Sequence, residues 1–286
     1  MGKVNSLVYE EDWADRLQQE LDEPTIFKQI CTVDISDKRV FHNPWMADPS
    51  VISIGRGTTY TYQTVAQTDD YITIDTAKGI PQFIDRADLA QSGYAQQMYL
   101  AERQGVLLNE EIETAIYADH ANMTEFGAED LAGSAGGSTD ITVSATNIDD
   151  IIRVVRKTIR VAEGESLYRK NGGFFVWRPV DFEKLEQFAQ ANGFTSADKW
   201  LELGSLRGMH YMGFDHYSSN LLPANHVIAG VNKAPWVGIL RATYGQIMVD
   251  TKDPQSASGI SVVSRVDFKE NVWVKMKPVV FNINVA

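Results

Sequence analysis

The sequence predicts an α+β fold with an outlying arm and a strand ribbon, and three observations carry that prediction. Two-residue alternation fills the stretch from Phe41 to Asp75, a helical stripe runs from Tyr94 to about Asn122, and short helices then alternate with apolar strands to the end. The 286 residues are 44% hydrophobic and 22% charged, enough to bury a large core. A net charge of −12 argues against a general nucleic-acid-binding surface, which needs clustered Lys and Arg. No run of about 18 apolar residues marks a membrane span, and MGKVNSLVYEEDW lacks the apolar stretch of a secretory signal. The single cysteine, Cys31, forbids an internal disulfide and suits a reducing cytoplasm.

Charge divides the chain. Residues 1–149 carry 9 basic and 25 acidic side chains, a net of −16, whereas residues 150–286 carry 17 and 13, a net of +4. Such a split is either surface decoration or a means for copies to meet head to tail, acidic half against basic half.

The elements follow in order. In EEDWADRLQQELDE, Trp13, Leu17 and Leu21 fall on one helical face and Pro24 closes the segment. That face must bury itself on its own body or on a neighbouring subunit. HNPWMADPS is held extended by Pro44 and Pro49. VISIG, TTYTYQTV and DDYITID then read as strands of a long hairpin, with Gly55 and Gly57 bracketing Arg56. An isolated two-stranded ribbon is marginal in water, so this one is expected to lie on another surface.

Tyr94, Met98, Ala101, Gly105, Leu108, Ile112 and Ala115 step by four and three, which predicts a helix of roughly 30 residues and roughly 45 Å. Glu102, Glu110, Glu111, Glu113 and Asp119 read as its solvated face. FGAEDLAGSAGGSTD reads as a flexible connector; it lacks the Lys-Ser/Thr ending of a phosphate-binding loop. Beyond it, Asn147 with Asp150 reads as a capping pair for a helix burying Ile148, Ile152, Val155, Ile159 and Ala162, with Arg153, Arg156, Lys157 and Arg160 outward. GFFVW is a buried strand stopped by Pro179. Asp181 is expected to cap a helix ending near Gly193, with Phe182, Leu185 and Phe188 inward. HVIAGV, PWVGILRA and GQIMV follow as strands. A terminal hairpin turning at Lys269–Asn271 is expected from GISVVSRVDF and ENVWVKMKPVVFNINVA.

No catalytic constellation emerges. His210 and His216, with Asp215 between them, form the only local histidine cluster, and their spacing fits no metal-ligand template. There is no G-x-S-x-G and no H-E-x-x-H. Cys31, within QICTV, reads as a buried, inert thiol. Catalytic, cofactor and metal residues are therefore expected to be absent.

The order of arm, ribbon, long helix, α/β unit and closing strands resembles the major capsid (coat) protein of tailed bacteriophages. ISIGRGTTYTYQTV and DDYITID look like its extended loop, and AERQGVLLNEEIETAIYADHAN like its spine helix. NIDDIIRVVRKTI and GFFVWRPVDFEKLEQF look like its axial domain, with HVIAGVNKAPW and VWVKMKPVVFNI as the return path. The likeness implies an N-arm over residues 1–40, an extended loop over 41–78, a peripheral domain with the spine helix over 79–145, an axial domain over 146–255, and closing peripheral strands over 256–286.

The same resemblance implies an icosahedral shell of hexamers and pentamers around double-stranded phage DNA. The subunit interface would use Trp13, Leu17 and Leu21 of the arm and Trp45, Ile52, Ile54, Arg56, Tyr60 and Tyr62 of the ribbon. Expected partners are copies of the chain, a portal protein, a decoration protein and packaged DNA touched without sequence specificity, with no membrane. The arm begins almost at once, so a separate scaffolding protein is also expected. Localisation would be the virion capsid, assembled in the host cytoplasm. Some relatives weld subunits through a Lys of the extended loop and a neighbouring Asn. No Lys lies between Lys38 and Lys78 here, so the expected shell is non-covalent. The alternative is a bacterial nanocompartment shell protein enclosing a cargo enzyme.

Overall fold

Two β-sheets share one continuous hydrophobic core, and none of the described ribbon residues belongs to it. The structure, a computed structural model, describes residues 25–57, 62–85, 96–191, 209–245, 247–250 and 259–286. The α+β class is as the alternation and the helical stripe predicted.

Within the segment expected to be arm, residues 25–36 belong to the body. Phe27, Ile30 and Cys31 are apolar and closely spaced, and the short helix α1 (Phe27–Ile30) turns them into the core. Strand β1 (Thr32–Ser36) then pairs in parallel with a strand about 200 residues later in the chain. The expected helix with Trp13, Leu17 and Leu21 lies outside the described residues.

The ribbon starts with β2 (Val40–His42) and β3 (Trp45–Met46) and returns through β4 (Gln67–Thr68) and β5 (Tyr71–Thr73). β2 pairs antiparallel with β5, and β3 with β4. β6 (Thr76–Asp85) leads back into the body, pairing along ten residues with β14 (Gly259–Val272). β13 (Ile247–Asp250) and β12 (Pro235–Leu240) share the other edge of β14, and β12 carries β1 at the sheet's margin.

Across β6 and β14 lies α2 (Gln96–Ala118), continued by a 3-10 turn, Asp119–Asn122. Gln104, buried on this helix, joins the elements: it accepts from Ser264 Oγ at 2.5 Å and donates to Gln82 Oε1 at 2.9 Å. Gly105 does not interrupt the helix. Glu113, expected on the solvated face, is instead fully buried. It follows Ile112 on the inward stripe, and buried donors described below offset the cost of placing a carboxylate there.

The second sheet runs β7 (Thr124–Phe126), β15 (Val280–Asn284), β11 (His226–Val231), β8 (Gly173–Trp177), β10 (Phe214–Ser218) and β9 (Met209–Tyr211). Between β7 and this sheet's helices sits α3 (Ala128–Leu131). The loop after it is an ordered structure rather than a flexible connector. The Asp130 carboxylate accepts from the backbone N–H groups of Gly127, Gly136 and Gly137 at 3.0, 3.0 and 2.8 Å. Gly127 is required by close approach, since a Cβ there would meet Thr139 backbone atoms at 2.7 and 2.8 Å.

α4 (Ile148–Val161) buries Ile148, Ile151, Ile152, Val155 and Ile159 against the sheet, the face the 3.6 periodicity picked out. Its cap differs from the expected pair. Asn147 Oδ1 accepts from Ser144 N–H at 2.8 Å, and Asp150 pairs with Arg153 instead. After α5 (Glu165–Asn171) and β8, α6 (Pro179–Ala191) begins at Pro179 itself. Proline suits a first helical turn, where its missing N–H costs nothing. Asp181 is buried within that turn and accepts from Arg178 Nε at 2.7 Å.

The expected terminal hairpin does not form. β14 passes straight through Lys269–Asn271 and ends at Val272; the chain turns at Trp273–Met276, and β15 enters the other sheet. The expected boundary at 255/256 is likewise not a boundary between sheets. β12 and β13 pair with β14, whereas β15 joins β11 and β7. Chain crossings at Asn232–Ala234 and at Trp273–Val279 join the two sheets, so neither is built from one continuous stretch.

Candidate assembly surface

The ribbon's root is fastened to the body by polar and aromatic contacts. Asn43 N–H donates to Asp70 O at 2.7 Å and Ala47 N–H to Ala66 O at 3.0 Å, closing the two ladders. His42 Nδ1 and Asp69 Oδ2 stand 2.8 Å apart, and Val274 N–H donates to the Asp70 carboxylate at 3.3 Å. Lys275 Nζ lies 4.2 Å from the centroid of the Trp45 ring. The Phe41 and Trp236 rings meet edge to face at 4.9 Å, and Trp236 lies 5.1 Å from Trp273.

Beyond the root the ribbon is apolar and exposed. Ser50 and Gln63 bridge its arms, Ser50 N–H donating to Gln63 Oε1 at 2.9 Å and Gln63 Nε2 to Ser50 O at 3.0 Å. Ile52 and Ile54 are 44% and 56% exposed, Tyr62 is 94% exposed, and Val51 meets no cover at all. Arg56 is exposed at the tip, where Gly57 takes φ +86°, a conformation L side chains rarely adopt. Exposed apolar side chains in such a row, on a ribbon too thin to bury them, mark an interaction surface.

Of the residues expected at the interface, Ile52, Ile54, Arg56 and Tyr62 are thus gathered on the exposed ribbon. Trp45 is set apart: it is half-buried at the root under Lys275 of its own chain. Tyr60, like Trp13, Leu17 and Leu21, lies outside the described residues.

The histidines do not converge. Strand alternation on β10 turns Asp215 outward, where it stands 2.8 Å from His210 Nδ1, and His216 inward. His216 is fully buried between aromatic rings and takes the Trp177 indole N–H on Nδ1 at 3.0 Å; burial pushes its pKa down to about 3. Tyr211 donates to Asp149 Oδ1 at 2.7 Å, and burial with that carboxylate pushes its hydroxyl up to about 12. Burial and the nearby Glu113 raise the Cys31 thiol well above its usual range, which keeps it an inert thiol. Among the described residues, no three His, Cys, Asp or Glu side chains gather as a metal cluster, and no helix is long and apolar enough to cross a membrane.

Two features escaped sequence reasoning. One is Glu113, whose only signal was its place beside Ile112 on the buried stripe. The other is a recess of about 260 Å³ at the ribbon's root, which Asp34, Phe41, Trp236 and Trp273 help to line. Its residues come from distant stretches of the chain, so no local pattern announces it.

Comparison with solved structures decides the architecture. A chain from the structure of Mycobacterium phage Che8 matches with a TM-score of 0.72 at 16% identity, 98% of each chain being covered. The chain has the phage capsid fold. The capsid of an empty GTA particle gives 0.69 at 13% identity over 98% of this chain and 96% of that one. The capsid of Ralstonia phage GP4 gives 0.67 at 11% over 100% and 98%. No protein-family model and no curated protein matches the sequence. Within this capsid fold, the ribbon is the described element least served by its own chain.

Proposed function

We propose that this chain is the major capsid protein of a tailed phage, a structural and non-catalytic subunit. It assembles through hexamers and pentamers into an icosahedral shell around double-stranded DNA. The observation that carries the reading is the exposed apolar ribbon on a chain that matches phage and GTA capsid structures over nearly its whole length. Overlapping ribbons supply heterologous contacts, the kind that close into rings, and a stable contact needs roughly 800 Å² from each partner. The nanocompartment alternative is not favoured, because the similar structures named above are phage and GTA capsids.

In this reading residues 41–75 form the extended loop, the β6/β14 sheet with α2 the peripheral domain, and the β8-centred sheet with α4–α6 the axial domain. Portal, scaffolding and decoration proteins are its partners, the host cytoplasm its place of assembly and the virion its destination. The DNA is enclosed without sequence-specific contact. An acidic chain suits that role, because a wall that does not bind polyanions lets the genome move.

Electron microscopy of the chain purified with its native partners, concentrated at near-physiological salt, tests the proposal. Capsomer rings or closed shells are expected. A chain that stays monomeric at every concentration in the presence of those partners overturns it. Boiled, reduced particles are expected to run as single chains, whereas a ladder of multiples would mean covalent welding.

A further inference from the structure

We propose that Arg56, at the ribbon tip of one copy, inserts into the aromatic recess at the ribbon root of a second copy and pairs there with Asp34. From Pro49 to Thr68 the ribbon carries one charged side chain, Arg56, held between two glycines at the exposed turn. The nearest carboxylates along the ribbon arms, Asp48 and Asp69, sit towards its root. A lone guanidinium on an otherwise uncharged apolar strip is either wasted or aimed at an acceptor elsewhere.

The recess has the chemistry of such an acceptor. Phe41, Trp236 and Trp273 supply aromatic surface, and Asp34 supplies the carboxylate. One Asp34 oxygen accepts the Trp236 indole N–H at 2.5 Å, which fixes the carboxylate; the other accepts no hydrogen bond among the described residues. Lys233, the cation of the same recess, is committed elsewhere: its ammonium donates to the carbonyls of Lys28 and Cys31 at 2.6 and 2.9 Å. A planar guanidinium both stacks on aromatic faces and pairs with a carboxylate, which a lysine does less well. The volume of about 260 Å³ accommodates one such side chain.

Geometry points to a second copy as the source. Ten residues lie between Trp45 at the root and Arg56, Ser50 and Gln63 bridge the two arms part-way along, and Val51, Ile52 and Ile54 beyond that bridge are exposed, so the tip stands off its own recess. A tip-to-root contact uses different surfaces on the two partners and therefore propagates from copy to copy.

The inference rests on the shell reading, and a double-mutant cycle separates the two. Arg56→Gln, Asp34→Asn and the double variant are compared with the natural chain by light scattering for the critical concentration of assembly. Asp34→Asn retains an acceptor for the Trp236 indole while removing the charge. Each single change is expected to raise the critical concentration at least about tenfold, as for desolvated interfacial charge pairs. The double variant is expected to lie within about twofold of the worse single one, because the partners share one interaction. Additive effects, or single variants that assemble like the natural chain, overturn the pairing while leaving the shell reading intact. A natural chain that never assembles even with its native partners present overturns the shell reading itself.

Discussion

Glu113 shows how one residue decides where the body begins. Its carboxylate accepts from Ile26 N–H at 2.6 Å, Phe27 N–H at 3.1 Å and the Tyr117 hydroxyl at 2.7 Å, all in the core. Removing it strands buried donors, and each unsatisfied donor costs about 1–3 kcal/mol. Glu113→Ala is therefore expected to lower the urea-unfolding free energy of the unassembled chain by about 3 kcal/mol or more. An unchanged midpoint would show that residues 25–31 are held by apolar packing alone. His216 makes a second residue-scale prediction, for pH. Its folded-state pKa of about 3 lies below the unfolded value near 6.5, so the unfolded chain binds the extra proton. The stability is fully present above about pH 6.5 and falls as pH drops towards 3, with a slope approaching about 1.4 kcal/mol per pH unit from this group. His216→Gln, which keeps an acceptor for the Trp177 indole, is expected to flatten that slope in acid-unfolding curves.

Elements were legible where a period of 2 or 3.6 survives in the sequence. The stripe Ile148, Ile152, Val155, Ile159 becomes the buried face of α4, and GFFVW becomes a wholly buried strand. Legibility ended where distant residues decide. Lys269–Asn271 resembles a turn locally, yet pairing of these residues with Gly238, Val237 and Trp236 keeps β14 straight. FGAEDLAGSAGGSTD has the composition of a linker, but Asp130 gathers three of its neighbouring N–H groups and orders it. Alternation picked out the exposed ribbon residues, although VISIG and the described part of TTYTYQTV lie in no strand, which needs a partner ladder as well as a pattern; the recess at the ribbon's root, made by β1, β2, β12 and the turn after β14, was not readable. Gly105 offers an element-scale test of the long helix. It sits in the helix interior, exposed, and an added Cβ would meet nothing within 4 Å. Gly105→Ala is expected to stabilise the unassembled chain by about 0.8–1 kcal/mol, the intrinsic helix preference of Ala over Gly. A destabilisation in thermal unfolding would mean that the helix needs its glycine for close approach or bending.

At the scale of the molecule, folding and assembly draw on separate parts of the chain. One core links both sheets, and the β1, β6, β12, β13 and β14 pairings close around it without any ribbon residue beyond Met46 and Gln67. The ribbon above its root contributes no buried side chain among the described residues. Excising it should therefore leave the fold standing. Ala47 N–H already bonds Ala66 O, so the two arms are close enough there for a two-residue hairpin turn to join them. A chain with residues 49–64 replaced by Asn-Gly loses Val51, Ile52, Ile54, Arg56 and Tyr62 together. Its thermal midpoint as an unassembled subunit is expected to stay within about 2 °C of the natural chain, about the shift that a change of 1 kcal/mol produces in a chain of this size. Its assembly, followed by sedimentation velocity, is expected to disappear at concentrations where the natural chain forms particles. Loss of the folded state would show that the ribbon stabilises its own body, and undiminished particles would move the assembly surface elsewhere.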